Sequence, residues 1–161
     1  MQAKLVDFQC VVLDLDFTIW TGCRPGFWAR LLIPPLTVDS DRNVITDCQG
    51  NTLTLIPGVR RALSELKKRE IPVGFITRGG DLGVSYDDQL PVQCIRLFDL
   101  AQYFTHQTEV LFRTDKKSRV FTPLGNTVFV DDSEQDRQDI SDTFPAVTCL
   151  NSLTLDWCNQ I

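Results

Sequence analysis

The residues that could do chemistry in this sequence gather at the ends of its apolar runs. Asp14 and Asp16 close and follow the run 10–15 (CVVLDL), separated by one residue. Thr77 and Arg78 end the run 72–77 (PVGFIT), and Asp131 and Asp132 follow 127–130 (TVFV), with Lys116 and Lys117 ahead of it. In an open α/β sheet, reactive groups collect beyond the carboxyl ends of the strands. Four carboxylates, a hydroxyl and an ammonium are therefore expected on one rim. Carboxylates so crowded repel unless a hard divalent cation neutralises them, and oxygen donors select Mg²⁺. Such a set suits phosphoryl transfer. One acid of the DxD pair can attack phosphorus to give an aspartyl phosphate. The other can protonate the leaving group and later activate water. The Thr77 hydroxyl with nearby backbone N–H groups can hold phosphate oxygens, and Lys116 or Lys117 can offset the charge.

Composition removes other chemistries. The chain has one histidine, His106, which excludes multi-histidine metal sites and leaves a Ser-His-Asp or Cys-His site resting on that residue alone. Six cysteines at wide, irregular spacings, with no C-x-x-C, read as free and mostly buried thiols in a reducing compartment. A net charge of −5 argues against broad nucleic-acid or acidic-membrane binding. The N-terminal run MQAKLVDFQCVVLDLDF carries acids within it, unlike a signal peptide, and no stretch is long and apolar enough to span a membrane. A cytoplasmic or nuclear protein is expected.

The elements that must position these residues follow from the pattern of 161 residues, 43% of them hydrophobic and 23% charged. Three β-rich runs, at 10–15, 72–77 and 127–130, and a weaker one at 146–150 (AVTCL) are each followed by a polar cluster, as parallel strands are. Helical patterns fall between them at 59–69, 86–100, 133–142 and 153–159. In the first of these, Val59, Ala62, Leu63 and Leu66 share a face. Alternating strand and helix predicts an α/β fold, a Rossmann-like three-layer sandwich on a central parallel sheet. The segment 20–55 breaks the rhythm. It holds no good helix, but 43–48 and 51–55 flank Gln49-Gly50 as a hairpin, which would either sit as a flap over the carboxyl end of the first strand or only cover core. Trp20, Phe27 and Trp28 are candidates for a pocket lining or for core, with core favoured.

Taken together, the strings resemble a known family. VVLDLDFTIW is similar to the first motif, hhhhDxDxT, of the haloacid dehalogenase (HAD) superfamily, GFITRG to its second and NTVFVDDSEQD to its fourth. The likeness extends to the small capless magnesium-dependent phosphatases of that superfamily (acid phosphatase or protein-tyrosine-phosphatase-like). These carry a DLD-aromatic-T-L-W first motif, a Ser-Arg pair at the second, a hairpin like NVITDCQGNTLTLIPGV and an "LFDL…YF" segment like 97–104. The resemblance is weakest over 24–39 and 115–126. It implies a single HAD-like domain over 1–161 without a cap, the flap occupying about 20–55. It further implies Asp14 as nucleophile and Mg²⁺ ligand, Asp16 as general acid/base and backbone ligand, and Thr77 on the phosphate. Asp132 is implied as the third protein ligand with Asp131 behind it, although the two could exchange. Lys117 fits the third-motif spacing slightly better than Lys116. Arg78 could be a surface residue or could meet substrate phosphate or a motif acid, and Thr18 is a candidate for substrate binding or, the favoured reading, a fold-supporting hydroxyl near the acids.

The expected activity is Mg²⁺-dependent hydrolysis of a phosphomonoester, on a phosphorylated small molecule or a phosphoprotein, with aryl phosphates or phosphotyrosine-like groups favoured. Two other classes remain as alternatives. A catalytically silent HAD-fold binding protein would have to keep four crowded acids without use. A receiver-like phospho-acceptor would place its acid pair directly after the first strand and its phosphorylated Asp after the third, whereas here the order is DxD, Thr, Lys, DD. No nucleic-acid or membrane partner is expected, and the sequence leaves the oligomeric state open.

Overall fold

Two sheets share the chain in the computed structural model, which describes residues 4–161; the first three residues of the N-terminal run lie outside them. The larger sheet is parallel, with five strands in the order β7-β6-β1-β8-β9. Its centre is β1 (Cys10–Leu13), flanked by β6 (Val73–Gly80) and β8 (Thr127–Asp131), with β7 (Thr108–Phe112) and β9 (Thr148–Asn151) at the edges. The three central strands are apolar almost throughout because both of their faces are covered. Val11 and Leu13 of β1 face one apolar cluster and Cys10 and Val12 the other, as the two-residue period of a strand requires.

Helices α1 (Val59–Lys68) and α2 (Leu90–Leu97) pack into the first cluster through Val59, Ala62, Leu63, Leu66, Cys94 and Ile95. Helix α3 (Glu134–Thr143) packs into the second through Ile140. The result is the expected three-layer α/β sandwich, and among the described residues no further helical domain covers the sheet.

The smaller sheet is antiparallel, in the order β2-β5-β4-β3. It comprises β2 (Trp20–Gly22), β3 (Thr37–Asp39), β4 (Val44–Thr46) and β5 (Thr52–Leu55). The expected hairpin is its β4–β5 pair, turning through Gly50 at φ 82°. Strands β2 and β3 extend it, and a 3₁₀ turn at Ala29–Leu31 lies between them. Ile45, Leu53 and Leu55 join the same apolar cluster as Val11 and Leu13, so this sheet is seated on the larger one.

Other expectations need correction. Strand β7 (TEVLF) was not expected, since its residues are all half-buried and its first two are polar. The expected helix at 86–100 is a 3₁₀ turn (Tyr86–Asp88) followed by the shorter α2, with Pro91 in its first turn. Only a 3₁₀ turn, Trp157–Asn159, forms within 153–159. Of the six cysteines, all free, Cys23 and Cys48 are exposed rather than buried.

Candidate active site

Strand register assembles the site. Leu13 pairs with Phe75 on one side and with Val130 on the other. The Asp14 N–H donates to the Val130 carbonyl at 2.8 Å. One step further along, Asp14 and Asp131 stand side by side at the carboxyl edge, with Thr77 two residues past Phe75. Strand β1 stops at Leu13, so the chain from Asp14 onward turns. Phe17 adopts φ 61°, a left-handed conformation rare for a bulky residue, and its N–H donates to the Trp20 carbonyl at 2.7 Å.

Lys117 ties the carboxylates together. It sits in the first turn after Lys116, its side chain is 1% exposed, and its Nζ lies 2.8 Å from Asp14 Oδ1 and 2.7 Å from Asp131 Oδ2. Asp136 Oδ2 is 3.4 Å away. Burial alone would lower the ammonium's pKa, but Asp131, Asp14 and Asp136 outweigh it and hold the group above the usual lysine value. Lys116 is exposed and makes none of these contacts. Burial pushes Asp14 up to about 7, against the opposing pull of Lys117 and reinforced by Asp132. Asp131 also rises to about 7, through burial and then the charge of Asp14.

Asp16 is held apart from that cluster. Its Oδ1 accepts from the Trp20 indole N–H and from the Ala29 N–H, both at 2.9 Å. Burial raises its pKa despite these two bonds. A raised pKa of this kind suits a general acid. Gly79 lies between Asp16 and Thr77: a Cβ there would be 3.4 Å from Thr77 Oγ1 and 3.8 Å from Asp16 Oδ2, ordinary contact distances. The cavity above these groups is about 510 Å³ and is lined by both DxD acids, Thr77, Lys117, Asp131 and Asp132.

The donor set fits a hard cation. Asp14, Asp131 and Asp132 each offer a carboxylate oxygen within 4.8 Å of the others, and all the donors are oxygen. Both Asp131 oxygens are engaged, Oδ2 by Lys117 and Oδ1 by the Ser133 N–H at 2.9 Å. Asp132 is half-buried and lies against Asp14, with its pKa raised first by burial. All three could hold a metal, Asp131 being also committed to its bonds with Lys117 and Ser133.

Thr18 does not join the site. Its hydroxyl donates to Ser152 Oγ at 3.0 Å and its carbonyl accepts from the Trp157 indole at 2.9 Å, in a separate cavity on the far side of the turn. It braces the DxD turn, the place expected of a fold-supporting hydroxyl. The aromatic candidates divide: Trp20 and Phe27 are core, while Trp28, 39% exposed, lines the cavity.

Several lining residues were not singled out from the sequence. Asp136 carries a clear signal in retrospect, because Ser133-x-x-Asp136 is a helix-start pattern and the Asp136 N–H donates to Ser133 Oγ at 3.2 Å. It grips Arg78 with two bonds, at 3.0 and 3.2 Å, while Arg78 also donates to the Arg113 carbonyl at 2.8 Å. Arg30 and Arg113 gave no local signal; only the fold brings them to the cavity.

Residues 8–160 match the family described as Acid Phosphatase. The chain belongs to that family. The acid phosphatase match spans both sheets, including the segments where the motif resemblance is weakest, and makes the chain a phosphatase of the HAD type. It is also similar to Magnesium-dependent phosphatase 1 of Homo sapiens, 25% identical over 160 residues, which cover 94% of this chain and 84% of that protein. Among the described residues, no helix of the chain is long and apolar enough to cross a membrane.

Proposed function

We propose that this chain is a Mg²⁺-dependent phosphomonoesterase that works through an aspartyl phosphate on Asp14, as one domain with the smaller sheet as its flap. The observation that carries the reading is the Lys117 ammonium between Asp14 and Asp131 on the floor of an open cavity, with Asp16 held separately across it. A relative named for its magnesium dependence supports the choice of ion, as does the oxygen-only donor set. When held by Asp14 and Asp132, Mg²⁺ supplies positive charge to the nucleophile and the phosphate oxygens.

The chain's own residues divide the remaining work. An oxygen of Asp14 bonds to phosphorus as the ester bond breaks, and Asp16 gives its proton to the departing oxygen. Asp16 then takes a proton from water, whose oxygen bonds to phosphorus. The Asp14–phosphorus bond breaks, releasing inorganic phosphate and restoring the carboxylate. Lys117 offsets the charge on Asp14 throughout, and Thr77 with the adjacent backbone receives the phosphate oxygens. Arg78, braced by Asp136, stands beside them. The exposed ring of Trp28 at the mouth favours aryl phosphates, phosphotyrosine-like groups included.

The test is hydrolysis of a simple aryl phosphate by the purified protein. Activity that requires Mg²⁺ and stops with a chelator is expected. Equal rates in chelator would remove the metal, and no hydrolysis with Mg²⁺ would overturn the reading.

A further inference from the structure

Two cations at the cavity mouth are left without a partner. Lys117 and Arg78 each have their own carboxylates, but among the described residues neither Arg30 nor Arg113 has one within salt-bridge distance. Both line the cavity. Each guanidinium is instead seated on an aromatic ring. Arg30 lies 5.2 Å from the Trp28 ring centroid and Arg113 lies 5.6 Å from that of Phe112. Stacking of this kind orients the planar group while leaving its N–H donors unused.

Their positions locate the vacancy. Arg30 belongs to the 3₁₀ turn whose Ala29 N–H holds Asp16, the acid that faces the leaving group. Its charge reaches Asp16 and opposes the rise in that acid's pKa, after burial and the two hydrogen bonds. Arg113 stands just past the end of edge strand β7, beside Arg78. The two therefore flank the place where the rest of a substrate must sit once its phosphate is at Asp14. In a chain of net charge −5, two unpaired guanidiniums at such a mouth are set to receive an anion.

We propose that Arg30 and Arg113 determine specificity by receiving a second negatively charged group on the leaving group, so that the preferred substrates are aryl phosphates bearing another anion, with the aryl ring against Trp28. This inference rests on the phosphatase reading above. A carboxylate is the simplest such anion, and a second phosphate shares its chemistry.

The experiment compares the phosphate of para-hydroxyphenylacetate with the phosphate of its methyl ester, which differ in charge at the far end of the ring but have nearly the same leaving oxygen. With Mg²⁺, kcat/KM for the acid is expected to exceed that for the ester by about tenfold, the size of one charge-assisted contact. The preference should shrink as salt is added. Arg30→Ala and Arg113→Ala should bring the ratio toward one, and Arg30→Lys should restore part of it. The bisphosphate of hydroquinone, against its monophosphate, tells whether a phosphate serves as well as a carboxylate. A wild-type acid-to-ester ratio of one, or an unchanged ratio in both alanine variants, would overturn the inference and leave the phosphatase reading standing. Failure to cleave either compound would instead bring down the reading beneath it.

Discussion

Two buried carboxylate sites in this molecule have opposite electrostatics. At the carboxyl edge of the parallel sheet, Asp14 and Asp131 face each other and Asp132 around one lysine, and burial drives Asp14 and Asp131 up to about 7. In the antiparallel sheet, Asp47 is covered by its own turn but lies close to the molecular surface, and its pKa is lowered. Burial raises it there too, but the Asn51 side chain and the N–H groups of Ile33, Asn51 and Gln49 overcome that effect. Asp47 is fully satisfied by its own chain and holds the hairpin turn. The Asp14 cluster has more acid than its one lysine can neutralise, and it gains from an added cation. A satisfied buried acid is architecture, whereas an unsatisfied group of them is a site.

The largest expected contrast is between Asp14→Asn and Asp47→Asn. The first should lower kcat by at least about 10⁴-fold, since an amide cannot form the acyl phosphate. It should not lower the Tm of the metal-free protein at neutral pH, because it removes a desolvated charge. The second should leave kcat near wild type and cost about 1–3 kcal/mol through its lost hydrogen bonds, read as a drop in Tm of several degrees. Both variants losing stability alike, with activity intact, would erase the distinction.

The lysines sharpen the contrast within one segment. Lys117→Ala should cost ~10²–10³-fold in kcat/KM, the loss of one electrostatic stabiliser. Lys116→Ala should change kcat/KM by less than about twofold, as for an ordinary exposed residue. Steady-state kinetics on one aryl phosphate decide it, and equal effects would mean that the buried contacts of Lys117 do not act in the reaction.

The smallest effect is on stability against pH. Asp14 and Asp131 titrate near 7 in the folded protein and near 3.8 when unfolded. Between those values the folded state holds protons that the unfolded chain has released. Their contribution is therefore complete below the unfolded value and is lost as pH rises through about 7. Asp47 behaves oppositely: its contribution is present above the ordinary carboxylate value and is lost as pH falls through its lowered one. The rise in Tm on adding Mg²⁺ should accordingly grow from about pH 5 to about pH 8, as Asp14 ionises. A Tm increment flat across that range would show that Asp14 does not hold the ion.

Much of the site was legible in the sequence because Asp14, Thr77 and Asp131 lie at or near the carboxyl ends of buried strands. Once 10–15, 72–77 and 127–130 read as neighbouring parallel strands, Asp14, Thr77 and Asp131 had to meet at one edge. Spacing favoured Lys117 over Lys116 only slightly, and it is burial and the contacts with Asp14 and Asp131 that separate them. The smaller sheet was half legible. Gln49-Gly50 marks its hairpin, but β2 and β3 are three residues long, too short for a period to show. Asp47, Asp136, Arg30 and Arg113 gain their roles from contacts made across turns and between distant strands. Thr18 follows the DxD acids closely in sequence, but after the left-handed Phe17 its hydroxyl meets Ser152.

The central claim is that Asp14 becomes phosphorylated during turnover. The most direct measurement is to quench the Mg²⁺-loaded enzyme during hydrolysis of an aryl phosphate, reduce the acyl phosphate with borohydride and map the altered residue by mass spectrometry. The account predicts reduction at Asp14 alone, absent without substrate and absent in Asp14→Asn. Modification at Asp16, Asp131 or Asp132 in place of Asp14 would contradict it.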